Sequence, residues 1–473
     1  MSERKTLSPL KSMLLYAFSL FLMKGISLLM LPLMARYLSP AQLGSLELIA
    51  TTTAFISLLV AVAMHENLYR FIGILNCSSE QKRQAGVLYF TCLIISALAA
   101  LLLILLIQAF KQHISVFSEY QLILMTIVVC FESALAISMA WLRMQDKVMV
   151  FFSVTVTCTI MQACLIVWAL IVQPNVTLIF AIGVFATFIQ FSLLHFINQF
   201  QFALPRRNEL TRYLRYSSPL MMSAIVAFTL CGAERWVIAY TSSVEELGLY
   251  AVAAKFALAM CILAQPFHMW WMPKRFQSIE QQGARHTTNT TQIGIAYLCL
   301  LSVVVGIGSQ IFIQLALPQS YHGAAQLVIA TVIIALLKET SELINIGILY
   351  KKRTKILFKI NVACSLLGGL LFLCSMQWEI VGVMLSLIIA QLGRTLLIAR
   401  YSQHCYPLPY QCVPLIVMIV TSVIYLVASY WVSNIIGLMG LILLALFTLF
   451  ALAHLGKITV LTMPAFLPRV LVR

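Results

Sequence analysis

The chain has 473 residues, of which 62% are hydrophobic and 10% charged, with a formal net charge of +16. A soluble domain carries about 25% charged residues to cover its surface, so a water-soluble globular protein is excluded and an all-α polytopic membrane protein is expected. The positive charge does not point to nucleic acid, because the basic residues sit in short connections between apolar runs, where they set orientation in a membrane.

The twelve cysteines show no metal-ligand spacing. Most fall in apolar runs, where Cys behaves as a small hydrophobe. Only Cys77, Cys405 and Cys412 lie in or near connections, so no disulfide framework, metal or other cofactor is expected. The segment 1–11 is short and basic. The apolar run after it is too long for a signal-peptide core and ends without a small-residue cleavage site, so it reads as a first membrane helix.

With about 20 apolar residues needed for a helical span, the chain divides into about fourteen. They run near 12–35, 43–64, 85–110, 120–142, 148–172, 176–198, 217–241, 246–272, 291–317, 323–349, 356–376, 380–399, 413–433 and 435–456. No connection is long enough for an inserted catalytic domain. Of the 31 Lys and Arg residues, 24 fall on one alternating side, from Arg4, Lys5 and Lys11 to Lys457, Arg469 and Arg473. The other side holds Arg36 and Lys111, so both termini are expected in the cytoplasm.

The chain also repeats itself. Tyr37-Leu38-Ser39-Pro40-Ala41-Gln42-Leu43-Gly44 follows the first span. Tyr240-Thr241-Ser242-Ser243-Val244-Glu245-Glu246-Leu247-Gly248 follows the seventh, with one extra residue. An even number of spans separates the copies, which predicts a parallel repeat with a substrate path between two halves. The expected organisation is a six-helix lobe over 1–198, a basic cytoplasmic linker over 199–216, a second pseudo-symmetric six-helix lobe over 217–399, and two additional helices with a tail over 400–473.

Ten Lys, Arg and Glu residues lie inside the expected spans beyond their first turn: Lys24, Glu47, Glu132, Glu234, Arg235, Lys255, Lys338, Glu339, Glu342 and Arg394. At roughly 2.5–3.5 kcal/mol each, ten unpaired charges would cost on the order of 25–35 kcal/mol. They must therefore face one another or water. Lys24 sits mid-span, too far from either end to snorkel, and reads as a substrate-facing cation or a structural ion pair. Lys255 carries the same two readings. Glu234 and Arg235 are adjacent and point about 100° apart on a helix, which leaves open a mutual pair or partners on other helices. Lys338 and Glu342 share a face at i,i+4, a spacing that is commonly structural. With Glu339 they form a cluster in which like charges could raise one carboxylate's pKa. Glu132 stands mid-span without a local partner and suits a proton or cation. Glu47 and Arg394 lie nearer span ends and read as structural. Arg70, with His65 and Glu66, follows span two at the cytoplasmic mouth, where an anionic headgroup or plain solvent would meet it. Pro32 and Pro266 predict kinks that membrane helices tolerate.

The run Leu31-Pro32-Leu33-Met34-Ala35-Arg36-Tyr37-Leu38-Ser39-Pro40-Ala41-Gln42-Leu43-Gly44 resembles the opening of Wzx-type O-antigen and polysaccharide flippases. These belong to the multidrug/oligosaccharidyl-lipid/polysaccharide flippase superfamily. Asn67-Leu68-Tyr69-Arg70-Phe71, Leu142-Arg143-Met144-Gln145-Asp146-Lys147, Glu234-Arg235-Trp236, Lys351-Lys352-Arg353-Thr354-Lys355 and Trp378-Glu379-Ile380-Val381-Gly382-Val383 extend the resemblance over roughly residues 12–400. Glu234 stands where such transporters more often show Asp. The resemblance implies a transporter of the bacterial inner membrane that is not an enzyme. Its cargo would be an undecaprenyl-diphosphate-linked oligosaccharide, moved from the cytoplasmic to the periplasmic leaflet by alternating access. A proton or sodium gradient would drive it, beside other polysaccharide-assembly proteins and membrane lipid. On that reading Lys24, Lys255, Arg235 and Arg70 meet the anionic substrate, and Glu132, Glu234, Glu339 and Glu342 couple the ion. A drug or cation exporter of the same superfamily should hold more acid than base in its spans, whereas here five of each balance. A polytopic polymerase or glycosyltransferase needs a substantial external loop, and the external loops here are short and nearly uncharged.

Overall fold

The computed structural model describes residues 9–73, 75, 77–109, 116–432, 434–456 and 458, and their side chains except those of 9–17, 19 and 20. Arg4, Lys5, Lys111, Lys457, Arg469 and Arg473, counted in the orientation, lie outside the described residues, as does the side chain of Lys11. The described residues form helices and connections with no strand, as an apolar environment demands, since each helix satisfies its own backbone polar groups.

The chain divides into two compact units, Met1–Ala251 and Val252–Arg473. The first holds α1 (Pro9–Tyr37), α2 (Pro40–Ala61), α3 (His65–Asn67), α4 (Ser78–Ala109), α5 (Glu119–Met144), α6 (Val148–Val172), α7 (Val176–Asn198), α8 (Arg207–Cys231) and α9 (Glu234–Thr241). Helix α10 (Val244–Trp271) carries the unit boundary. The second unit continues with α11 (Arg275–Gln281), α12 (Gly283–Ala316), α13 (Ala324–Ile344), α14 (Ile346–Tyr350), α15 (Thr354–Cys374), α16 (Glu379–Cys405), α17 (Cys412–Ala428) and α18 (Ile435–Leu455).

Twelve helices among the described residues are long and apolar enough to cross a membrane, and the chain is a multi-pass membrane protein. Two more long helices, α1 and α13, stand where spans one and ten were expected. Two expected spans are interrupted. Span seven breaks at Gly232, where α8 ends and α9 restarts, and span ten breaks at Asn345 between α13 and α14. Helix α8 begins at Arg207, inside the stretch 199–216, because the Glu209 carboxylate accepts from the Arg206 N–H and closes its first turn.

Within each unit the helices pair in a similar order. In the first, α4 packs on α5, α5 on α7 and α6 on α7; in the second, α12 packs on α13, α13 on α16 and α15 on α16. Helices α17 and α18 pack on each other and on α12. The core of the first unit gathers Leu88, Tyr89, Ile137, Trp141 and Phe200.

The repeated motif is a pair of helix starts. Ser39 caps α2, its hydroxyl accepting from the Gln42 N–H while the Gln42 side chain accepts from the Ser39 N–H, with Pro40 at the first helical position. Ser243 accepts in the same way from the Glu246 N–H at the head of α10. Counted from these caps the copies match without a gap, and the extra residue falls before the cap. Each motif ends on a glycine, and the two glycines meet. A β-carbon on Gly44 would overlap the Val244 carbonyl oxygen, and one on Gly248 would overlap the Pro40 carbonyl oxygen. The crossing is thus reciprocal, with each glycine facing the first turn of the other helix.

Candidate functional site

Charged side chains inside this apolar bundle concentrate in two clusters, one in each unit. The first forms beside the glycine crossing. The break at Gly232 turns the chain so that α9 opens on Glu234 and Arg235. Arg235 donates from Nε to Glu47 Oε1 on α2 at 2.6 Å and from a terminal nitrogen to Glu234 Oε1 at 2.7 Å. Tyr250 on α10 donates its hydroxyl to the same Glu234 oxygen at 3.1 Å, and the guanidinium lies over the Tyr250 ring. Next along α9, Trp236 Nε1 donates to Thr52 Oγ1 at 3.0 Å and its ring meets Phe55 edge-on. Glu234 is 3% exposed. One guanidinium thus holds two carboxylates from two helices, an arrangement its planar fork of donors allows.

The neighbours Glu234 and Arg235 therefore pair with each other and also reach other helices. Glu47, read from its position as structural, is a member of this network. Farther along α2, Ser57 donates its hydroxyl to Glu132 on α5, so the partner of Glu132 is not local but 75 residues away.

The second cluster lies in the second unit. Beyond its i,i+4 neighbour Lys338, the Glu342 carboxylate takes a bond from Arg394 on α16 at 2.8 Å. Arg394 also donates to Ser341 Oγ at 2.8 Å and to Asn361 Oδ1 on α15 at 2.9 Å. Arg394, read as structural, ties three helices together. Glu339, one position after Lys338, faces His268 on α10, with Oε2 3.3 Å from Nδ1. Arg275 on α11 donates to Asn345 Oδ1 and to the Glu342 carbonyl.

Three further expected site residues are Lys24, Arg70 and Lys255. Lys24 is exposed on α1, and Arg70 is exposed on the short π-helical segment Leu68–Ile72. Lys255 is half-buried on α10 and has an electrostatic or hydrogen-bonding partner. The sequence did not single out His268, Arg275 or Asn345, since His268 and Arg275 lie about 70 residues from the partners they meet; the proline two residues before His268 was the nearest available signal. The second unit also holds an apolar cleft of about 320 Å³ lined by Pro266, Tyr297, Leu300, Met418, Leu449 and Phe450.

Ionisable side chains buried in an apolar bundle are costly unless paired, and they mark candidate functional sites. A polysaccharide biosynthesis protein family model matches residues 33–326. No curated protein gives a significant sequence match. Among solved structures, the lipid II flippase MurJ in an inward closed conformation superposes with a TM-score of 0.70 at 16% identity, over 93% of this chain and 98% of that one. An outward-facing multidrug resistance transporter of the MATE family and MOP superfamily gives 0.53 at 10% identity, over 85% and 98%. A MOP superfamily transporter from Pyrococcus furiosus gives 0.50 at 12%, also over 85% and 98%. These likenesses identify a shared fold, that of MOP-type transporters. The match spans well over half of the sequence and bears out the resemblance drawn from its motifs: the chain belongs to the polysaccharide biosynthesis protein family and has the MOP-type transporter fold.

Proposed function

We propose that the protein flips an undecaprenyl-diphosphate-linked oligosaccharide, such as an O-antigen unit, from the cytoplasmic to the periplasmic leaflet of the bacterial inner membrane. It does so by ion-coupled alternating access between six-helix lobes over 1–198 and 217–399. On this reading α1 and α13 complete fourteen spans, 199–216 links the lobes, 400–473 supplies the last two helices and tail, and both termini are cytoplasmic. The observation that carries the proposal is the family match on a bundle whose apolar helices hold paired charges. Two further features support it. The diphosphate is anionic, and Lys24 and Lys255 place cations within long membrane helices. The apolar cleft along α10, α12, α17 and α18 suits a prenyl chain.

Lys24 and Lys255 are the proposed substrate contacts inside the membrane, and Arg70 is a contact at the cytoplasmic mouth. Arg235 reaches a phosphate only when its bonds to Glu47 and Glu234 open. Glu132, Glu234, Glu339 and Glu342 are the proposed ion-coupling carboxylates.

Removing a charge-assisted hydrogen bond forfeits about 1.5–3 kcal/mol, or roughly ten- to a hundredfold in affinity. Lys24→Ala and Lys255→Ala should each abolish surface polysaccharide in a deletion host while the protein still accumulates in the membrane. The lipid-linked unit should then build up facing the cytoplasm. Full activity in both variants would sink the substrate assignment. Unchanged polymer in the deletion host with raised sensitivity to cationic drugs would leave the fold standing and replace the cargo.

A further inference from the structure

The charged clusters differ in one chemical respect. Around Arg235 two carboxylates share a guanidinium, and Arg394 holds Glu342 likewise. A guanidinium does not release its proton in a protein. The pairing of His268 with Glu339 is different, since imidazole and carboxylate both exchange protons readily. Its side chains are 12% and 10% exposed, with Nδ1 and Oε2 3.3 Å apart. The other imidazole nitrogen, Nε2, is buried with no hydrogen-bond partner among the described residues. The same holds for Trp271 Nε1, about one turn farther along α10, and for Thr340 Oγ1, next to Glu339. The second unit thus encloses a titratable pair among polar groups with unused bonding capacity.

The neighbouring charges are fixed by other contacts. Glu342 and Glu339 on α13 and Arg275 on α11 act on His268 from the packed elements. Arg394 on α16 engages Glu342, and Arg275 is bonded to Asn345 and a carbonyl. Pro266, two residues before His268, lies inside α10 and removes a backbone hydrogen bond where the helix can bend. Bending there would move the imidazole relative to α13.

We propose that the His268–Glu339 pair binds and releases the one proton that drives transport. This rests on the transporter reading and names the coupling ion and its carrier. Loading adds one proton to a carboxylate facing a neutral imidazole and takes the pair from one negative charge to none. Unloading breaks that O–H bond and returns the proton to the opposite aqueous side. No other bond forms or breaks. A nitrogen base opposite the carboxylate suits a proton better than sodium, which transporters hold through oxygen atoms.

The test uses the full chain in lipid nanodiscs and in liposomes loaded with undecaprenyl-diphosphate-linked N-acetylglucosamine. Infrared difference spectra of the nanodisc sample, recorded across a pH titration, should show a carboxyl band that gains and loses a proton. The band should vanish in Glu339→Gln, move in His268→Gln, and persist with a moved midpoint in Glu339→Asp, which keeps the acid if Glu339→Gln does not fold. In liposomes an imposed pH gradient should drive flipping by the wild type, and this response should be lost in His268→Gln and Glu339→Gln. A titrating band unchanged in Glu339→Gln, or a full gradient response in His268→Gln, would overturn the proposal. A band that titrates as described in a protein that flips nothing would support the proton site and sink the flippase reading.

Discussion

Alanine at Gly44 or Gly248 is expected to lower the unfolding temperature and to remove transport. The obstacle at each position is backbone. A β-carbon on Gly44 would overlap the Val244 carbonyl oxygen and stand 2.8 Å from the Gly248 nitrogen. One on Gly248 would overlap the Pro40 carbonyl oxygen and stand 3.1 Å from the Gly44 nitrogen. No rotamer change relieves such contacts, so α2 and α10 must separate at their first turns. Overpacking of this kind costs about 1–3 kcal/mol, and the separation would also shift the Glu47–Arg235 pair one turn along α2. Gly369, inside α15, has nothing near its absent β-carbon, so Gly369→Ala should be neutral or slightly stabilising. Thermal unfolding in detergent compares the three variants, and surface polysaccharide in a deletion host reports transport. Equal tolerance at Gly44, Gly248 and Gly369 would refute the crossing.

Arg235→Gln should destabilise the protein by about 3–5 kcal/mol, the usual penalty for stranding the other half of a buried pair. It strands two halves here, because Glu234 and Glu47 both rely on the same guanidinium. Arg235→Lys should rescue only in part, since one ammonium lacks the fork that reaches both carboxylates. Removing every charge together, in a Glu47→Gln, Glu234→Gln and Arg235→Met triple variant, should recover most of the lost stability, because nothing remains unpaired. Unfolding of these variants within one double-mutant framework separates the pairing from simple loss of charge. Should Arg235→Gln unfold together with the wild type, the network contributes nothing to holding α2, α9 and α10.

These experiments address features that differed in how readable they were. Membrane character was plain, because hydropathy is a local property and each span satisfies its own backbone. The repeated motif was also visible, since Ser39 with Gln42 and Ser243 with Glu246 form caps within a single turn. The two interruptions, at Gly232 and Asn345, were not. Both lie in stretches apolar enough to pass for one continuous span, and a lone glycine or asparagine is a weak breaker there.

The charged residues mark the division most sharply. Composition alone required that Glu47, Glu132, Glu234, Arg235, Glu339, Glu342 and Arg394 be paired or wet, because isolated charges in hydrocarbon are too costly. It could not say with what. Lys338 stands four residues from Glu342, but nothing local pointed to Arg394, 52 residues on, which donates to its carboxylate. Glu132 looked solitary until Ser57 came from another helix. His268 carried no sequence signal that joined it to Glu339.

What the sequence determined by itself was the class of the protein: its helices, their apolar length, the repeated helix start and the need to neutralise buried charge. The tertiary structure decided the partners. Helical periodicity fixes which residues share a face, whereas which faces meet depends on how separate helices pack. Only that packing brings Gly44 onto Gly248, Glu47 onto Arg235, and Glu339 onto His268.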